Sequence, residues 1–327
     1  MSELPKDFSV ALKGDFVLPF DIARAGVRGR LVRLDLSSTR ALSAHSLPEA
    51  AARVAGESLA LSVLLGTALK LDGRLTVQTK SDGPLDLVLA DYYGSEPARG
   101  EDDGARSRGV RGFARLDAAR LAELPHFSDL KDTKFSALVG KGSLAITIEP
   151  KLGGQTYQGI VGLSEDGIAA SAETYFTQSE QLPTVLRLAA APLYVAGEKQ
   201  PRWRAAGIML QMTPDAAKPG AAPEEAQSND DWRRLSLILK TVEDLELLDT
   251  DLAPETVLWR LFHEDEVRVQ AALPVAFRCD CAPERIATVL KSYAPAERGT
   301  LADPDGIIRA RCEFCGTTHE INPNSLA

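Results

Sequence analysis

Four cysteines, all within the last fifth of the chain, constrain the fold more than any other residues. Cys279 and Cys281 form a C-x-C pair, Cys312 and Cys315 form a C-x-x-C pair, and the rest of the 327-residue sequence has none. Thirty residues separate the pairs, enough for a small fold to bring both around one ion. Zinc prefers soft thiolates, and a structural zinc fills all four positions with protein ligands, so the pattern predicts a closed tetrahedral four-cysteine site for one zinc ion. The first pair is tighter than the spacing of about two to four residues usual in ribbons and fingers. Each of its sulfurs has a potential disulfide partner beside it.

The sequence around the cysteines suits a small metal-stapled module. Glu284 to Tyr293 reads as a short helix, Asp303-Pro304-Asp305-Gly306 as a turn, and Ile307 to Ala310 as a strand leading into Cys312. Core candidates are few: Phe277, Ile286, Val289, Leu290, Ile307, Ile308, Phe314 and Ile321. So small a core needs a staple, which couples metal binding to folding. Metal-bound sulfur stays deprotonated, and thiolate is the form that oxidants attack. A disulfide would remove two ligands at once, expel the metal and unfold the module. Taken by themselves the same residues favour a static zinc staple that never cycles, since most such sites are inert. His263 and His319 read as packing or surface histidines, since four sulfurs already complete the shell. Hydrolytic zinc is disfavoured, because catalytic sites keep an open position.

The chain is long enough for two or three structural units. With 44% hydrophobic and 25% charged residues it has the composition of a soluble globular protein. A formal charge of −9 argues against nucleic-acid binding, and the stretch from His263 to Ala327 is itself acidic, with seven Lys and Arg against ten Asp and Glu. The longest apolar stretch, Leu59 to Leu71, is interrupted by polar residues and too short to span a bilayer. Met1 to Phe8 shows no basic or apolar leader pattern. The expected location is the cytoplasm, without membrane partners, where paired cysteines serve as metal ligands or redox devices more often than as permanent disulfides.

Alternation predicts strands around Val32, Leu34 and Leu36, around Leu75 and Val77, around Leu85, Leu87 and Leu89 on one face, and around Leu144, Ile146 and Ile148. Pro48-Glu49 opens a long Ala- and Leu-rich helix reaching Lys70. Ile168 to Gln181 reads as a helix stopped by Leu182-Pro183, followed by a short apolar segment from Thr184 to Leu193. Gly94 to Gly109 and Gly197 to Arg204 read as loops, and Asp215 to Asp231 as a linker rich in Ala, Pro and acids. Trp232 to Leu248 then carries an amphipathic stripe of Leu235, Ile238, Leu239, Val242 and Leu245, and Pro254 opens a further helix. Such stripes pack on a core or bind a partner. The fold class is α+β: an N-terminal mixed or antiparallel sheet core with helices, a helical linker region, and a small C-terminal four-cysteine zinc-binding domain. The expected boundaries are 1–184 for the core, 185–262 for the linker and helical middle region, and 263–327 for the zinc-binding domain.

Several segments together resemble the bacterial redox-regulated chaperones called heat shock protein 33. Phe277-Arg278-Cys279-Asp280-Cys281 with Glu284-Arg285, and Cys312-Glu313-Phe314-Cys315-Gly316, look like that family's zinc-switch domain. Leu258-Trp259-Arg260-Leu261-Phe262-His263-Glu264, Tyr175-Phe176 with Ser179-Glu180-Gln181-Leu182-Pro183-Thr184, and Asp82-Gly83-Pro84-Leu85 fit it upstream. The likeness covers essentially the whole chain, although the stretches 94–109, 197–204 and 215–231 look longer than the pattern requires. It implies an ATP-independent holdase, not an enzyme, inactive when reduced and zinc-bound. Oxidation would form Cys279–Cys281 and Cys312–Cys315 disulfides, release zinc, unfold the switch and adjoining helices, expose a surface for unfolding client proteins and favour a homodimer. The rivals are a thiol-disulfide oxidoreductase using Cys312 and Cys315, and a static zinc-stapled interaction module.

Overall fold

The computed structural model describes residues 14–95, 107–124, 133–151, 153–213 and 230–326. The chain divides into two compact units, Met1–Phe277 and Arg278–Ala327. In the larger unit, eleven strands form one sheet: β1 (Phe16–Ile22), β2 (Val27–Leu34), β3 (Gly73–Ser81), β4 (Leu85–Tyr93), β5 (Arg108–Leu116), β6 (Gly142–Pro150), β7 (Tyr157–Gly162), β8 (Thr184–Leu193), β9 (Arg202–Met212), β10 (Arg268–Val269) and β11 (Leu273–Phe277). Their order is β7-β6-β3-β4-β5-β11-β1-β2-β9-β8, with β10 paired to β1. Only the β11–β5 pair among these is parallel. This is the mixed sheet of the expected α+β class.

Helices cover both faces. On one side lies α2 (Glu49–Ala68), preceded by α1 (Leu36–Leu42). Pro48 opens α2 without spending a donor, and the Ala-rich sequence lets it lie almost wholly buried among Val32, Leu34, Leu75, Val77 and Ala90. Gly66 allows the helix to meet Tyr92, since a Cβ there would fall 2.0 Å from the ring. The short helices α3 (Ala118–Ala122) and α4 (Phe135–Val139) follow, then α5 (Ile168–Tyr175), whose end widens into a π turn over Phe176–Glu180. On the other side α6 (Asp230–Lys240), α7 (Asp244–Leu248) and α8 (Pro254–Phe262) bury Trp232, Leu235, Leu239, Leu247 and Phe262 against Phe16, Leu18, Phe20, Leu31, Ile208 and Leu210. Alternate residues of β1 and β2 thus serve two separate cores.

The smaller unit holds α9 (Pro283–Lys291), α10 (Pro295–Thr300) and an antiparallel pair, β12 (Ile308–Arg311) and β13 (Thr318–Ile321). Its buried core is Leu290, Ile308, Ile321 and Leu326. Ile286 packs at its margin, while Val289, expected inside, is 60% exposed.

Several sequence readings change in detail. The stretch from residue 185 onward is not all linker: β8 and β9 pair along their lengths and join β2, and β10 and β11 join β1, so the compact boundary falls after Phe277. Apolar strand residues at 185–210 need a sheet neighbour for their backbone, and β2 supplies it. Leu36 does not continue β2 but opens α1 and is 70% exposed, because the Asp15 carboxylate accepts from the Asp35, Leu36 and Ser37 amides and turns the chain. In β4 a register shift between Leu85 and Leu87 hands the buried face to Val88 and Ala90, leaving Leu87 and Leu89 only partly covered. The stripe from Trp232 to Leu248 is two helices rather than one, since the Glu243 amide donates to the Glu246 carboxylate at 3.3 Å and starts α7 afresh. Most of the expected loop 94–109 and linker 215–231, at residues 96–106 and 214–229, lies outside the described residues.

Candidate metal and redox centre

The smaller unit assembles its sulfurs from two chain turns. Cys279 and Cys281 lie in the extended segment after β11, which ends where Pro283 opens α9. Cys312 and Cys315 flank the reversal between β12 and β13. There the Gly316 amide donates to Cys312 O at 2.9 Å and the Cys312 amide donates to Thr317 O at 2.9 Å. Gly316 takes a positive φ of 71°, which a side chain would strain, so the C-x-x-C-G sequence is itself the turn.

All four sulfurs lie within 4.8 Å of one another, and all four cysteines are partly buried and free. Cys279 Sγ is 3.6 Å from Cys312 Sγ, and Cys281 Sγ is 3.4 Å from Cys315 Sγ. A tetrahedral centre of zinc and four sulfurs, with bonds of about 2.3 Å, separates its sulfurs by about 3.8 Å. The spacing and the all-sulfur donor set therefore fit a closed metal site, and the cluster can hold one ion.

One neighbour of the cluster, Thr317, escaped the sequence reading, and His319, read there as a packing or surface histidine, lies against a sulfur. His319 Nε2 lies 3.4 Å from Cys281 Sγ, and the Thr317 hydroxyl lies 3.2 Å from Cys315 Sγ. The signal was present: Thr317 and His319 are two apart in an extended segment that follows a cysteine turn, so they share one face. Toward thiolates both side chains can turn donor, which would place them in the outer shell of a metal site, where such bonds fix ligand orientation. His263, by contrast, stacks on Trp259 at 5.3 Å in the larger unit and takes no part.

The environment splits the thiols. Burial pushes Cys279 and Cys281 up, and in Cys281 hydrogen bonding with Cys315 and the other thiols adds to it. Burial opposes the Cys315 thiolate too, but the Thr317 hydroxyl and amide, with Cys281 and Cys312, outweigh it and bring Cys315 down to about 6. Without metal, the Thr317 hydroxyl and amide thus favour the thiolate at Cys315, while burial disfavours it at Cys279 and Cys281.

A family model described as Hsp33 protein matches residues 15–322. The chain is 33% identical over 323 residues to the 33 kDa chaperonin of Caulobacter vibrioides, covering 99% of each. It is 36% identical to that of Shewanella sediminis, covering 91% of this chain and 89% of the relative, and 35% identical to that of Escherichia coli, covering 92% and 90%. The solved structure of a heat shock protein 33 homolog from Thermotoga maritima superposes with a TM-score of 0.73 over 96% of this chain and 97% of the other, at 20% identity, a likeness of fold. The chain belongs to the Hsp33 family of chaperones.

Proposed function

We propose that this chain is a redox-regulated, ATP-independent holdase of the cytoplasm, with the cysteine module as its switch. The observation that carries the reading is a four-sulfur cluster at metal-binding distances in a unit whose buried core is only four side chains. In the reduced state Cys279, Cys281, Cys312 and Cys315 hold one zinc ion, which keeps the sulfurs as thiolates and staples the module. Oxidation takes two electrons from each cysteine pair, forming Cys279–Cys281 and Cys312–Cys315. With peroxide as oxidant, each pair of thiolates reduces one peroxide, which takes two protons from solvent and leaves as two water molecules. No thiolate then remains for the ion, the module loses its staple, and the amphipathic helices of the 185–262 region loosen to expose apolar surface to unfolding clients. The exposed surface also favours a homodimer. Trp232, Leu235, Leu239, Leu247 and Phe262, buried against the sheet, are the apolar face such loosening would uncover.

The test is light scattering of a heat-aggregating reporter enzyme, with reduced zinc-loaded chain and with peroxide- and heat-treated chain. Only the treated form should suppress aggregation. Equal suppression by both forms, or by neither, removes the switch, and zinc retained through mild peroxide in a colorimetric assay would leave the cluster a static staple. Catalytic turnover of a disulfide substrate would favour the oxidoreductase reading instead.

A further inference from the structure

The larger unit holds a cationic cavity that none of the four cysteines lines. Its volume is about 570 Å³, and its lining includes Arg30 of β2, Lys70 and Asp72 just past α2, Tyr92 of β4, and Arg108 at the start of β5. Three cations thus face one acid in a chain whose net charge is −9. Arg30 is 9% exposed, and its Nε has no hydrogen-bond partner among the described residues. It sits on a central strand, opposite Pro19 of β1 and Met209 of β9, so no movement of an edge carries it to water. The acid that acts on it from nearby is Asp21. That carboxylate is already engaged, accepting from Gln270 Nε2 at 2.5 Å and lying 3.9 Å from Arg28 Nε. Arg108 has the Tyr92 hydroxyl for a hydrogen-bond partner and no carboxylate among the described residues.

Buried charges in folded proteins are paired, and the one carboxylate that acts on Arg30 is shared with Arg28 and Gln270, which leaves its charge under-compensated. Here the missing partner is an anion. Arginine forks match the oxygens of phosphate bidentately, and a phosphate group with about two charges at neutral pH matches three converging cations better than a single carboxylate does. We propose that this cavity binds a small phosphate anion of about diphosphate size, held by the guanidinium groups of Arg30 and Arg108 and the Lys70 ammonium. Its ligands come from β2, the end of α2 and β5, so a bound anion braces elements distant in sequence and stabilises the larger unit.

The test is isothermal titration of pyrophosphate, and separately of citrate, into the full reduced chain at matched ionic strength. Parent protein should give saturable pyrophosphate binding, with citrate weaker by about tenfold or more. Arg108→Gln, at a partly exposed position that tolerates the change, and Arg30→Met should each weaken pyrophosphate by about tenfold or more. Arg115→Gln, an exposed arginine paired with Asp86 outside this cavity, should leave it unchanged. Pyrophosphate should raise the melting temperature of the parent and not of Arg108→Gln. No saturable heat up to about 10 mM pyrophosphate, far above a specific affinity, overturns the proposal. So does citrate binding as tightly, or unchanged binding in a folded Arg108→Gln.

Discussion

Replacing Arg33 by methionine tests how the sheet holds the helical segment. Arg33, on β2, is 5% exposed and points its guanidinium at the chain around α7. Its Nε donates to Leu247 O at 2.9 Å, one terminal nitrogen to Leu252 O at 2.6 Å, and the other to Glu246 O at 3.1 Å. Arg204, on the adjacent strand β9, adds a bond to Leu248 O at 3.3 Å. Burial lowers the Arg33 guanidinium to about 10, with Asp249 and Glu255 acting against it, so it is charged at neutral pH. The Glu246 and Leu247 oxygens are orphan carbonyls at the C-terminus of α7, where a cation satisfies their hydrogen bonding, and the Leu252 oxygen lies in the segment that leads into α8. Bonds from a charged donor contribute about 1.5–3 kcal/mol each, which puts three at about 5–9 kcal/mol before offsets. Two offsets reduce it: the guanidinium no longer has to be buried, and one of the freed carbonyls belongs to Leu247, which lines a cavity of about 350 Å³ that water can enter. The net loss should be about 3 kcal/mol, which shifts a local opening equilibrium by about 150-fold. Hydrogen exchange in the reduced zinc-loaded chain reads this directly. Amides at 244–252 should exchange about a hundredfold faster, while those of α2 change far less. On the holdase reading, the reduced variant should also suppress client aggregation at a lower temperature than the parent. Exchange within about threefold of the parent at 244–252 would refute the anchoring role, whatever the aggregation assay showed.

Glu57 on α2 gives a pH prediction. Burial first, and then the charge of Asp244 on α7, push its carboxyl up to about 7, against the pull of Arg187 and Arg53. Its folded value lies above the unfolded one, so the folded state keeps a proton that the unfolded state has lost. Stability is highest at acid pH on this account, declines as pH rises from about 4.5 to about 7, and is level above, with a total near 3 kcal/mol. Glu57→Gln should flatten that slope in denaturant titrations and stabilise the protein at pH 8; matching slopes for parent and variant would sink the assignment. Disulfide pairing is read by trypsin, which cleaves at Arg278, Arg285 and Arg311 and so separates the two cysteine pairs. Local pairing yields two unlinked peptides, each lighter by two hydrogens. A single linked species would mean that the sulfurs 3.6 and 3.4 Å apart had joined in place, stapling the module instead of releasing it. Chelation of the reduced chain should abolish amide protection across 278–326 while sparing α2, and protection that survives it would show that the small core stands without metal.

The elements most legible in the sequence were those whose pattern and capping agree. Pro48 to Lys70 announces α2 by composition and punctuation, and the alternation of Leu144, Ile146 and Ile148 gives β6, with Leu144 and Ile146 fully inside. The cysteines were legible because few other chemistries use C-x-C with C-x-x-C, and the fold does bring all four together. What the sequence hid were effects of partners distant along the chain. Asp15 turns the backbone at Leu36 from twenty-one residues away, a bulge in β4 exchanges its faces, and β8 joins the sheet through β9 and β2 rather than standing in a linker. The buried arginines were invisible for the same reason. Arg30 and Arg33 sit in an alternating strand where a charged residue reads as solvent-facing, and only the end of α2 and the carbonyls of α7 give them buried surroundings.

Chain connectivity limits how far a collapse of the cysteine module can travel. Cys279 follows β11 by one intervening residue, and β11 is held between two strands, with Val275, Ala276 and Phe277 paired to Arg108, Gly109 and Val110 of β5. Phe277 also lies under the Arg40 guanidinium at 5.0 Å. These contacts should stop unfolding at Phe277 unless β11 itself yields. Upstream, β10 has only two residues, paired at Phe20 and Asp21, and Arg234 of α6 holds Asp265 just after α8. The two-residue ladder, the Gln270 bonds to Pro19 and Asp21 and the ion pair to the buried Asp265 are fewer contacts than those that hold β11 between two strands, so β11 is the larger obstacle on the route back to α8 and α6. If the module is the switch proposed above, the barrier to its activation would lie in β11 and in the Arg33 anchor more than in the module. On that reading the layout would separate a chemical signal at four sulfurs from a threshold set by packing and hydrogen bonds in the larger unit, which could be tuned there without touching a ligand.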